Sequence, residues 1–214
     1  MLGFIRKTNI FKFIYMKKGC LIAIVAVVTV AVLIGVWAVS RYNSFVTKEE
    51  GVTSAWSQVE NVYQRRADLI PNLVETVKGY ATHEQNTLEG VIAARARATQ
   101  ITVNPDDLNA ETLQKYQEAQ GQLGAALSRL MAVAENYPDL KANQNFLQLQ
   151  AQLEGTENRI AVERKKFNET TREYNMSVRK FPGNIIAMMF GFDTKPYFEA
   201  AEGAEQAPVV DFGN

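Results

Sequence analysis

One cysteine, Cys20, and one histidine, His83, occur among 214 residues, and these two scarcities exclude most familiar site chemistries. A lone cysteine forms no intramolecular disulfide and says nothing of redox compartment. A lone imidazole without thiolates cannot assemble a zinc site, so His83-Glu84, the opening of a metalloprotease-like pattern, stops there: Thr87 stands where the second histidine belongs. A helix-end or surface position is the plain reading of that pair. Glu-x-x-His motifs for a di-metal carboxylate centre are missing. Ser54, Ser57 and Ser128 fall in helical stripes, with no sharp turn to expose a nucleophile. There is no glycine-rich phosphate loop either, because Gly121 and Gly124 stand inside a helical pattern and read as points of close helix packing. No cofactor is expected. The carboxylate pairs Glu49-Glu50, Asp106-Asp107 and Glu199 with Glu202 read as caps and solvated faces.

What the chain does have is a run of 22 residues without a charge, from Gly19 to Ser40. As a helix it reaches about 33 Å, enough to cross a hydrocarbon slab of about 30 Å. Its richness in Val and Ile would favour a strand in water, but in lipid a lone segment satisfies its own backbone only as a helix. The net charge of zero hides two unlike parts. Residues 1–41 hold six basic and no acidic groups, leaving 17 basic against 23 acidic in the remainder. Five of those six cations precede the span, which predicts a cytoplasmic N-terminus and an extracytoplasmic C-terminal part in a single-pass cell-membrane protein. The aromatic and aliphatic residues mixed with the leading cations suit a segment lying among headgroups. A cleaved signal peptide is the competing reading, because Ala38-Val39-Ser40 resembles a cleavage site; the length of the run argues for retention. Lipid attachment at Cys20 fits poorly, since that residue precedes the apolar stretch, and Leu2 excludes N-myristoylation.

Beyond the span the periodicity is helical. Val52, Ala55, Val59, Val62, Leu69, Leu73, Val77 and Tyr80 mark one face, interrupted by Arg66, and the face resumes at Leu88, Val91 or Ile92, Ala94 and Ala98. Pro71 inside this run predicts a kink or break near Leu69 and Ile70. Residues 101–108 read as a connection carrying Asn104-Pro105-Asp106-Asp107. A second helix follows from Leu113 through Gln120 and Leu127 to Tyr137, ended by Tyr137-Pro138. In the last helix Phe146, Leu153, Ile160, Phe167, Tyr174 and Phe181 stand seven apart, a coiled-coil-like seam. Its partner positions, Leu149, Thr156, Glu163, Thr170 and Ser177, are weaker. Phe181-Pro182-Gly183 ends that helix, and residues 184–192 form a short apolar segment that reads as a core cap or, alternatively, as a membrane or partner contact. The expected fold is therefore all-α: an elongated bundle of three long helices, four if the chain breaks near Pro71, after one N-terminal transmembrane helix. The domains are a basic, aromatic leader (1–18), the span (19–40), the bundle (42–198) and an acidic tail (199–214) that reads as disordered.

The run Gln64-Arg65-Arg66-Ala67-Asp68-Leu69-Ile70-Pro71-Asn72-Leu73-Val74-Glu75 through Gly79-Tyr80-Ala81 resembles the signature of the LemA family. Ala55-Trp56, Ala94-Arg95-Ala96, Glu135-Asn136-Tyr137-Pro138-Asp139-Leu140, Asn158-Arg159-Ile160 and Phe181-Pro182-Gly183 follow in the same order. The resemblance implies a bacterial membrane protein with one N-terminal span and an antiparallel helical bundle, in a family for which no catalytic residue is established. The long basic leader departs from that pattern.

The residues then have to supply the chemistry. Arg65, Arg66, Asp68 and Asn72 form the richest polar cluster, beside Pro71. Arg66 lies on the apolar stripe, where an unpaired cation costs several kcal/mol, on the order of what burial of a lone charge demands, so it requires a partner. Glu163, which interrupts the seam of the last helix, is the expected one. The pair is read first as a structural device fixing register, and second as a polar site for a peptide or anionic group. The functional expectation is a non-enzymatic scaffold, anchored in the lipid bilayer, presenting a bundle to envelope proteins; the alternative is a ligand-binding or enzymatic module using Arg65 to Asn72. Ala31 and Gly35 provide a small-xxx-small spacing for a possible homo-oligomer, and the acidic C-terminal part disfavours nucleic acid.

Overall fold

The computed structural model describes residues 4–105 and 108–199, with side chains from Gly19 onward. The uncharged run and the first bundle helix are one element: α1 (Phe4–Lys78) continues for 75 residues, about 110 Å at the helical rise. Apart from Trp37 near its end, the large apolar side chains of the run are 55–69 % exposed on every side, as suits a helix solvated by lipid. Among the described residues this is the one helix long and apolar enough to cross a membrane.

α2 (Gln85–Gln100), α3 (Ala110–Ala134), the one-turn α4 (Pro138–Lys141), α5 (Gln144–Arg179) and α6 (Gly183–Phe190) complete the described helices, and no strand occurs among them. α1 leads away from the span, α2 returns, α3 leads away and α5 returns along α1, so the bundle is antiparallel. Its helix starts are set locally. Asn109 and Thr112 form a reciprocal capping box on α3, and the Asn143 side chain accepts from the Phe146 amide to cap α5. Tyr137-Pro138 separates α3 from α5 as expected, with Pro138 opening α4. The seam residues Phe146, Leu153, Ile160, Phe167 and Tyr174 are all buried, but Phe181 is not: α5 ends at Arg179, and Phe181 is 80 % exposed.

Of the kink or break expected near Leu69 and Ile70, the break does not occur. α1 runs through Pro71 to Lys78, and the chain turns instead at residues 79–84, so the predicted first helix is divided into α1 and α2 there. The reason lies on α2. Proline has no N–H to give to the carbonyl four residues earlier, which is that of Ala67. Arg95 Nε donates to this same Ala67 carbonyl at 2.8 Å, so the buried acceptor keeps a partner and the Pro71 ring faces solvent.

After α6 an extended strap, residues 191–199, runs back up α5. The Asn175 side-chain amide exchanges two hydrogen bonds with the Lys195 backbone, 2.8 and 2.9 Å, and Asn168 does the same with Phe198, both at 2.9 Å. Seven helical residues rise about 10 Å, and three extended residues cover about the same distance, so the two rungs match. Phe198 closes the strap by stacking on Trp56 and meeting Phe167 edge-on.

The Arg95 contact generates a direct test by chemical denaturation of the detergent-solubilised protein. Arg95→Ala, which orphans the buried Ala67 carbonyl, is expected to cost about 1–3 kcal/mol. In a Pro71→Ala background, where the backbone N–H is restored, the same substitution is expected to cost less than half as much.

Candidate functional site

Of the polar cluster expected beside Pro71, the fold turns only Arg66 inward. Arg65, Asp68 and Asn72 are exposed; Asp68 accepts from Gln64 Nε2 at 2.7 Å, and the Asn72 carbonyl accepts from Thr76 Oγ1 at 2.7 Å. The partner of Arg66 is not Glu163, which pairs with Lys166 on its own helix at 2.8 Å. Arg66 is 3 % exposed and donates through Nη1 to Glu157 Oε1 at 2.8 Å, and through Nη2 to Gln120 Oε1 at 2.6 Å and the Gln120 carbonyl at 3.1 Å. Its guanidinium lies over the Tyr63 ring, 5.0 Å from the centroid. Gln120 Nε2 in turn reaches the Ala98 carbonyl at 3.4 Å. Side chains or backbone of α1, α2, α3 and α5 thus meet in a single polar layer.

That layer divides the core. On its far side Ile70, Leu123 and Leu153 belong to the distal cluster; on its near side Tyr63, Tyr116 and Ile160 belong to the cluster closer to the span. Sequence periodicity had a signal for Gln120, a polar residue on the stripe between Tyr116 and Leu123. It had none for Glu157, which sits at the edge of the seam and stays half-exposed. Arg95 was likewise visible only as part of a family run.

A cleft of about 650 Å³ opens beside the layer between α3 and α5, bordered by Arg66, Gln117, Gly121, Gly124, Glu157 and Arg164. A Cβ built on Gly121 or Gly124 would touch nothing within 4 Å, so these glycines do not serve close helix packing as the sequence predicts; they leave the cleft wall low. Arg164 lies over Phe198, 4.7 Å from its ring centre, and donates to the Glu199 carbonyl, which also accepts from Gln117. Burial pushes the phenols of Tyr63 and Tyr116 above the ordinary tyrosine range, with nearby Arg164 and then Arg66 opposing the shift at Tyr63. Burial also pushes the Glu60 carboxyl above its usual value; the Trp56 indole opposes this from nearby, although its N–H reaches no acceptor in hydrogen-bond geometry. His83 is exposed in the turn before α2, and Glu84 accepts from the Tyr137 hydroxyl at 3.2 Å. Among the described residues no three His, Cys, Asp or Glu side chains converge as metal ligands would.

A helical bundle carried on one apolar N-terminal helix, with its core split by a buried arginine layer, defines the class of protein. The LemA family model matches residues 55–212, and the chain belongs to the LemA family. Its relatives include the magnetosome protein MamQ of Magnetospirillum gryphiswaldense, 29 % identical over 187 residues that cover 79 % of this chain and 68 % of that one. Magnetosome protein MamQ 1 of Paramagnetospirillum magneticum matches to the same extent. Protein LemA of Metamycoplasma hominis is 23 % identical over 164 residues, 77 % of this chain and 71 % of its own. Nothing in the site or in these names indicates an enzymatic activity.

Two outcomes follow for stability. A double-mutant cycle of Arg66→Met with Glu157→Ala is expected to show a coupling of about 0.5–3 kcal/mol, whereas Arg66→Met with Glu163→Ala is expected to be additive within about 0.5 kcal/mol. Because folded Glu60 keeps its proton to higher pH than the unfolded chain, which titrates near 4.5, the native state is favoured at low pH and loses that advantage as pH rises through and beyond this value. Glu60→Gln is therefore expected to raise the melting temperature at pH 7, with the gain shrinking as a pH series approaches 4.

Proposed function

We propose that the protein is a non-enzymatic scaffold, anchored in the cell membrane with its N-terminus in the cytoplasm, that presents its bundle to other envelope proteins. The observation that carries this reading is α1, which joins span and bundle without a linker and so holds the bundle at a fixed attitude to the span. A tethered enzyme needs no such rigidity; a platform does. The five cations of the leader support the orientation. The names of the two MamQ relatives connect them with the magnetosome rather than with a reaction. Pairing of two spans through Ala31 and Gly35 fits the same role, since both lie on exposed helix surface.

The cleft between α3 and α5 is the surface at which the partner is to be sought. Its charged rim and low glycine wall also support the second reading, a module for a small polar ligand held near Arg66 and Arg164. A photoactivatable residue in place of Gln117, irradiated in intact membranes, separates the two. The scaffold reading expects a discrete protein adduct that disappears when Gly121→Phe fills the cleft. Absence of any protein adduct, or an adduct indifferent to Gly121→Phe, overturns docking at the cleft, and an adduct of metabolite size transfers the case to the ligand-binding reading.

A further inference from the structure

The last turn of the apolar run already belongs to the bundle. Trp37 and Ala38 are partly buried against the cluster nearer the span, and Arg41, the first charge after the run, lies over the Trp37 ring at 5.9 Å. α6 sits at this level. The Tyr42 ring meets Phe190 at 5.0 Å and Phe192 at 5.4 Å, while Gly183 approaches Phe45 so closely that a Cβ there would come within 3.2 Å of the ring. Residues 37–45 occupy only about 12 Å of helix axis, so any bilayer that holds the run places α6 at the depth of its headgroups.

Two features of that end are left largely uncovered by the described residues. α6 turns Ile186 and Ala187 inward but leaves Ile185, Met188, Met189 and Phe190 exposed, Met188 at 83 %. It ends cleanly at Gly191, whose φ of 75° lets the chain turn back into the strap, so the exposed face is a defined helix surface. Beside its start lies a pocket of about 480 Å³ bordered by Arg41, Lys48, Arg172 and Lys180, with Glu173 as its single acid among the described residues and the exposed Phe181 as an apolar wall. Among the described residues none of these four cations has a carboxylate within ion-pair distance. Cations gathered in one pocket repel each other, and an anion entering between them relieves that repulsion.

We propose that this pocket binds the phosphate of an anionic glycerophospholipid, while the exposed face of α6 enters the boundary between headgroups and acyl chains beside it. An apolar helix face next to unneutralised cations is the chemistry of a lipid with a charged head and a greasy tail, and a free phosphate would leave the α6 face unused. The bundle then rests on the leaflet at a second point besides its span.

The test uses the full chain in nanodiscs. Native mass spectrometry of protein released from mixed phosphatidylglycerol and phosphatidylcholine discs is expected to show at least tenfold preferential retention of phosphatidylglycerol, and Arg172→Ser with Lys180→Ser is expected to abolish that preference at an unchanged unfolding midpoint. Equal retention in the wild type and the double variant, or displacement of the lipid by millimolar inorganic phosphate, overturns the site. A spin label at Met188→Cys in a Cys20→Ser background provides a reading that leaves the cations intact. Collisions with oxygen in preference to a water-soluble nickel complex are expected; free access of nickel, or shielding from both, shows an aqueous or protein-covered helix and overturns the proposal.

Discussion

A buried guanidinium decides how this bundle is assembled. Arg66 would be prohibitively costly among apolar side chains unless its two terminal nitrogens were engaged, and the groups that engage them come from three other helices: Gln120 of α3 directly, Glu157 of α5 as counter-charge, and α2 through the Gln120 bond to Ala98. Sliding any helix by one turn would pull an acceptor about 5 Å away. Hydrophobic seams alone are less discriminating, because Leu, Ala and Ile on one helix face pack in several registers. The two apolar clusters on either side of the layer supply most of the burial, and the layer between them selects the alignment in which both form.

The same economy appears wherever the backbone is left short of a partner. Pro71 removes a donor and Arg95 supplies one from the neighbouring helix; the strap has no strand beside it among the described residues, and Asn168 and Asn175 offer amides that stand in for one. In each case a polar side chain on one helix completes the hydrogen bonding of another segment, which ties local geometry to tertiary contact. The apolar frame supplies the burial, and a few such cross-links set into it fix which segments meet.

The helices and their buried faces were legible because periodicity reports directly on which side of a helix leaves water. Val52, Val59, Leu73 and Val77 on α1, and five of the six seam residues on α5, lie where spacing puts them. Phe181 failed because spacing says nothing about where a helix stops. The Pro71 break failed for a related reason: the proline rule concerns one helix, and the rescue by Arg95 comes from another, 24 positions along the chain and invisible to any local window. That Arg66 needs a partner follows from the cost of burying charge; which carboxylate provides it depends on helix rotation, and Glu163 and Glu157 differ by less than two turns on α5. Gly121 and Gly124 were read as packing glycines, yet they border open space, since a small residue permits either outcome until its neighbours are placed.

The absence of a joint between Ser40 and Lys78 has a mechanical consequence. From Arg41 onward α1 extends about 57 Å beyond the bilayer, so leaning the buried segment by about 20°, an ordinary angle for a single crossing, sweeps the outer tip sideways by about 20 Å. A membrane slightly thinner than the apolar run is thereby converted into a change of posture at the remote end, much as a mast magnifies the roll of a hull.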